Sequence, residues 1–128
     1  MKKLVILLFL FTFSNLYSSE VKFEKIFDDL KSPWSLSFID KENLIITEKT
    51  GKLLFLNLKN KNKKEINHNL SLISLGQGGL LDVLYDNNKV YISYSENRGN
   101  WETSTSVAKG IFDKNKIVFK NIFRAEPP

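Results

Sequence analysis

His68 is the only histidine in the chain, and there is no cysteine. Histidine is the commonest general base, but His68 stands among Lys, Asn and Glu in a loop or outer strand and reads as a surface residue. No Ser-His-Asp arrangement can be built on it. Without cysteine there is no thiolate nucleophile, iron–sulfur ligand or Cys-based zinc site. No cluster of histidines and no spaced Asp/Asn run marks a metal loop. The residues thus assign no catalytic group and no metal ligand.

The most informative stretch is Gly76-Gln77-Gly78-Gly79. Three glycines around one amide side chain permit unusual dihedrals and close backbone approach. A strand follows and not a helix, so this is neither a dinucleotide fingerprint nor a phosphate loop. Two readings stand. Either the loop presents Gln77 into a cleft, where its amide donates to and accepts from a hydroxyl-rich ligand, or it is a tight entry turn. Asp82 interrupts an apolar strand between Leu81 and Val83, so it must meet water or a hydrogen-bond partner. Capping of backbone donors on a neighbouring element is preferred to a ligand role. Glu48, at a strand end, reads as structural. Trp34, after Pro33, reads as core. Asn69-Leu70-Ser71 fits the glycosylation pattern, a match frequent by chance.

The elements that position these residues are strands. Val21 to Ile26 gives a weak first strand. Trp34 to Ile39, Leu44 to Glu48 and Leu53 to Leu58 follow, with a turn at Asp40-Lys41-Glu42-Asn43 and a hairpin at Lys49-Thr50-Gly51-Lys52. Lys63 to Asn67 is a poor outer strand. The cycle restarts with Gly79 to Leu84 and Val90 to Tyr94, then a polar loop from Glu96 to about Thr103, and strands at Ser104 to Phe112 and Lys116 to Phe123. These are two four-strand meanders of roughly 40 residues each, a period that suits β-propeller blades better than a sandwich. The inner strand of each meander reads as the most apolar. Two blades cannot close a propeller. The expectation is therefore an all-β chain: the first two four-stranded blades of a propeller, incomplete, from the front part of a longer protein.

Residues 1–19 stand apart as a secretory signal peptide. Lys2 and Lys3 precede the apolar run Leu4 to Phe13, too short for a mature membrane anchor, and Ser14 to Ser19 offers small residues for cleavage. Residues 20–128 are then the propeller part, periplasmic or secreted, meeting the membrane only during export. The formal charge of +5 becomes +3 once Lys2 and Lys3 are set aside. Its one concentration, Lys59 to Lys64, lacks an aromatic to stack on a base and reads as a solvated loop. Nucleic acid is not an expected partner.

Taken together, Pro33-Trp34-Ser35-Leu36-Ser37-Phe38, Leu44 to Lys49 with Gly51-Lys52-Leu53, and Gly76 to Val83 resemble the opening of the soluble quinoprotein sugar dehydrogenases, the glucose/sorbosone dehydrogenase group. Val90 to Tyr94, Ser106 to Gly110 and Ile122-Phe123-Arg124 continue the likeness in order. The resemblance covers about the first third of a family member. It implies a six-bladed periplasmic propeller that binds pyrroloquinoline quinone and calcium, oxidises aldoses at the anomeric carbon and passes electrons to an external acceptor. Gln77 then matches the family's glutamine beside the sugar, a substrate-binding residue. The family's catalytic His, in a His-Phe-Gly type motif, falls after Pro128, and His68 does not match it. Lys49 stands where Arg is usual. Most quinone and calcium ligands fall later, so the chain alone is expected to be inactive. The rival reading is a non-catalytic secreted propeller that binds carbohydrate or protein. A short protein that assembles by stacking copies is a third, and oligomers are compatible with each.

Overall fold

The computed structural model describes residues 20–127. The signal-peptide expectation for residues 1–19 falls outside them. Nine strands form in order: β1 (Pro33–Phe38), β2 (Asn43–Glu48), β3 (Leu53–Asn57), β4 (Asn62–His68), β5 (Leu80–Asp86), β6 (Lys89–Gly99), β7 (Glu102–Ile111), β8 (Lys116–Ile117) and β9 (Lys120–Arg124). No helix among them is long and apolar enough to cross a membrane.

Two meanders result. The first sheet runs β1-β2-β3-β4, with the two-residue β8 added in parallel to β4; the second runs β5-β6-β7-β9. Every other pairing between neighbouring strands is antiparallel. The sheets pack face to face as successive propeller blades. Ile45, Leu53, Phe55 and Ile66 from the first meet Leu80, Val83, Ile92 and Ala108 from the second in one core. The described residues leave the ring open.

Alternation decides which side chains enter that core. On β2 and β3, Ile45, Leu53 and Phe55 face the second blade, while Leu44, Ile46, Leu54 and Leu56 form a second cluster on the opposite face. Phe27 and Leu30 cover this second face. Both faces are buried, so these strands read as continuous apolar runs.

The inner strand β1 corrects the sequence reading. Trp34, Leu36 and Phe38 are 47%, 53% and 55% exposed, so Trp34 is not core. The burial lies in β2 and β3, because the opposite side of β1 joins the second blade through polar groups. Tyr85 N–H donates to Ser37 Oγ at 2.8 Å and Ser35 Oγ donates to Asp82; beside them on β2, Thr47 Oγ1 donates to the Leu81 carbonyl at 2.6 Å. Residues 21–26 form no strand, and Phe23 is 98% exposed. They pair with no strand among the described residues, and alternation without pairing does not hold a strand.

The expected polar loop from Glu96 to Thr103 is instead the upper half of a long hairpin. Gly99 pairs with Glu102, leaving only Asn100-Trp101 as the turn. Both turn residues have positive φ, 50° and 65°, as a type I′ turn requires. The expected strand over Lys116 to Phe123 is split. β8 joins the first sheet, and the chain then crosses to pair β9 with β7. The lysine run from Lys59 to Lys64 is a hairpin in which two charges meet carboxylates, Lys59 with Glu42 and Lys63 with Asp29.

Candidate functional site

The glycine-rich loop joins the two blades, and each glycine has a separate reason. Gly78 N–H donates to the Leu75 carbonyl at 2.8 Å, closing a turn whose Gly76 has φ +56°. Gly79 has φ +143°, and a Cβ there would lie 2.1 Å from the Lys49 carbonyl oxygen. That carbonyl accepts the Leu80 N–H at 3.1 Å, and Lys49 Nζ donates to the Gly76 carbonyl. The backbone of the second blade is thereby pressed against the β2–β3 turn of the first. On the other side, Ser95 N–H donates to the Gly79 carbonyl at 2.8 Å, and Ile73 N–H to the Ser95 carbonyl at 3.0 Å.

The tight-turn reading holds for this loop. It is a tight entry turn, and it leaves Gln77 exposed at its tip. Gln77 borders an open cleft of about 510 Å³, lined also by Ser95, Trp101, Thr103 and Thr105. Amide, hydroxyl and indole groups bind a hydroxyl-rich ligand. None of the five can take a proton at neutral pH, so this wall offers hydrogen-bonding groups and one aromatic face and no general base.

The outer wall of the cleft comes from the β6–β7 hairpin, which the sequence reading missed. Its legible signals are the turn formers Gly99 and Asn100 and the Thr/Ser run from Thr103 to Ser106. Trp101 at its tip is 88% exposed. A bulky residue at positive φ costs about 1–3 kcal/mol, so the ring occupies this place against backbone preference.

Beneath the hairpin lies a buried carboxylate. Glu96 is 8% exposed. It accepts from Ser106 Oγ at 2.7 Å, Asn121 Nδ2 at 2.9 Å, Arg98 Nη1 at 3.1 Å, and Arg124 through Nε at 3.0 Å and Nη2 at 2.8 Å. Burial alone would raise its pKa, but the bonds from Ser106, Arg124 and Arg98 outweigh it and hold the carboxyl at about 2. The ligands come from β6, β7 and β9, so one charge fastens three strands. Arg98 also reaches Glu126. Tyr94, whose phenol is pushed up by burial, donates to Asn121 Oδ1 at 2.8 Å and extends the network.

The remaining candidates are structural. Asp82 lies at a bulge in β5, between the paired residues Leu80 and Val83. It accepts from Ser35 Oγ across the blade seam and from the Val83 N–H at 2.9 Å. Its cross-blade partner is thus a hydroxyl and not the expected backbone donor. Glu48, 3% exposed, accepts the Lys31 N–H at 2.6 Å. His68 is half-buried, not a free surface residue. Its Nδ1 accepts the Leu70 N–H at 3.2 Å and its Nε2 lies 2.8 Å from the Gly51 carbonyl, which makes Nε2 the protonated nitrogen. Asn69 is engaged on both sides of its amide, with the Phe119 N–H at 2.7 Å and the Phe119 carbonyl at 3.1 Å. Glycosylation there would break this clasp.

A two-blade all-β arc with a cleft of mixed polar and apolar lining beside β5, β6 and β7 defines part of a β-propeller. Comparison with known proteins places it further. The family model for glucose/sorbosone dehydrogenase matches residues 30–128. A solved glucose dehydrogenase is 32% identical with a TM-score of 0.76, matching 81% of this chain and 35% of its own. The soluble aldose sugar dehydrogenase of Escherichia coli, solved in its apo form, is 28% identical with a TM-score of 0.73, over 81% and 33%. The aldose sugar dehydrogenase of Streptomyces coelicolor, solved in its PQQ-bound form, shares the fold at 17% identity and a TM-score of 0.70, over 81% and 33%. No curated protein matches. The chain belongs to the glucose/sorbosone dehydrogenase family, and it spans about a third of the length of these solved relatives.

No group of three or more acidic or histidine side chains among the described residues is placed to hold a metal ion. Arg98 pairs with Glu96 and Glu126, and Arg124 pairs with Glu96.

Proposed function

We propose that this chain forms the substrate-side wall of an exported, quinone-dependent dehydrogenase that oxidises aldose sugars at the anomeric carbon. The carrying observation is the cleft in which Gln77 is exposed on a glycine loop held by both blades, within a chain of the glucose/sorbosone dehydrogenase family. Gln77 binds the sugar by donating from its amide nitrogen and accepting at its amide oxygen. Ser95, Thr103 and Thr105 supply further hydroxyls.

Pyrroloquinoline quinone, when bound, supplies the two-electron acceptor for the reaction. Its ligands, those of calcium, and the general base are assigned outside these 128 residues. The cleft-lining side chains hold no group suited to take the anomeric hydroxyl proton. An external acceptor completes the cycle, and export through residues 1–19 places the protein in the periplasm or medium. The 128 residues alone bind substrate at most and turn nothing over.

Product analysis tests the reaction type. With quinone and calcium supplied, the full-length gene product is expected to convert a free aldose to its lactone and to leave the corresponding methyl glycoside untouched. Oxidation of the methyl glycoside at a comparable rate would place the chemistry at another carbon. The binding-only alternative is supported by the same acid-free cleft. It predicts saccharide binding with no product from either compound.

A further inference from the structure

We propose that Trp101 is a specificity-determining residue of this cleft: its indole is the platform for the second, outer ring of an oligosaccharide whose first ring reaches Gln77. The inference rests on the sugar-directed reading above.

Three observations meet at this residue. The first is position. Gln77 belongs to the connection that enters the inner strand β5, whereas Trp101 is at the tip of the β6–β7 hairpin, further out along the sheet, and both line the same cleft. A ring held at Gln77 therefore has Trp101 on its outward side. The second is chemistry. Hydroxyl and amide groups from Gln77, Ser95, Thr103 and Thr105 border one exposed indole. A saccharide ring has a hydroxyl rim and an apolar C–H face, and it matches that mixture. An aromatic surface takes the apolar face while polar neighbours take the rim.

The third is backbone. Asn100-Trp101 is a two-residue turn with both φ positive. Glycine is the favoured second residue of such a turn. Trp101 adopts φ +65° and is 88% exposed, so it gains no core packing in return. Residues held in unfavourable φ without packing gain concentrate at ligand sites. The hairpin beneath is fastened across three strands by Glu96, Ser106 and Arg124, so the platform has a firm base.

The turn geometry supplies a clean variant. Trp101→Gly creates the preferred Asn-Gly turn, so the fold is retained and the thermal midpoint stays level or rises. In the full-length gene product, maltose and glucose binding are measured by calorimetry, and kcat/KM for each with quinone supplied. Maltose affinity and kcat/KM are expected to fall roughly five- to tenfold, with glucose changed less than about twofold. Trp101→Phe retains most of the maltose affinity. Parallel losses for both sugars, or no loss for either, overturn the proposal; the latter result means the indole is covered by another part of the protein or a partner. If the wild type oxidises neither sugar, the dehydrogenase reading falls, and the binding comparison still decides the role of Trp101.

Discussion

At the residue scale, Glu96 shows how a polar group missed in sequence organises a site. Its carboxyl is held at about 2 against an ordinary 4.5. A depressed carboxyl contributes stability that is complete above pH 4.5 and is lost as pH falls towards 2. Glu96→Gln is expected to cost about 1–3 kcal/mol at neutral pH, since it leaves buried donors less well paired. Denaturant midpoints of wild type and variant should converge between pH 5 and pH 2, and a gap independent of pH would contradict the assignment. Gln77→Ala should lower kcat/KM for aldoses in the full-length product by roughly three- to tenfold, with no change in thermal midpoint because Gln77 is exposed. The exposed place of Gln77 was legible because glycines flank it. Glu96 was not, since its ligands lie up to 28 residues away and only the sheet pairing brings them together.

At the element scale, the apolar runs of β2 and β3 and the turns at Gly51 and at Asn87-Asn88 were readable, because local composition and turn chemistry determine them. Three of the errors share one cause. Whether Val21 to Ile26 pairs, whether Lys116 to Phe123 is one strand or two, and which face of β1 is buried depend on partners distant in sequence. The glycine loop offers a paired test. Gly79→Ala meets the Lys49 carbonyl at 2.1 Å, whereas Gly76→Ala has open space and only its φ of +56° to overcome. Gly76→Ala should cost about 1–2 kcal/mol and Gly79→Ala clearly more, measured by thermal or denaturant unfolding. Equal costs would mean that the loop is not pressed against the first blade.

For the whole molecule, the blade count and open arc were foreseeable from the spacing of the strands, whereas the seam was not, because Ser35, Ser37 and Thr47 join the blades by hydrogen bonds that no apolar pattern signals. The outer face of β1 carries Trp34, Leu36 and Phe38, and β9 exposes Ile122 and Phe123. Exposed large apolar side chains such as the row on β1 seek a cover. Residues 20–128 produced by themselves should self-associate on sedimentation, and Phe38→Lys should reduce it; a clean monomer would contradict that description of the surface. The most direct test of the central claim is to titrate pyrroloquinoline quinone, with calcium present, into cofactor-free full-length product and follow aldose-dependent dye reduction. The account predicts no turnover without quinone and saturable turnover with it. Turnover that is unchanged by quinone, or absent throughout the titration, would contradict it.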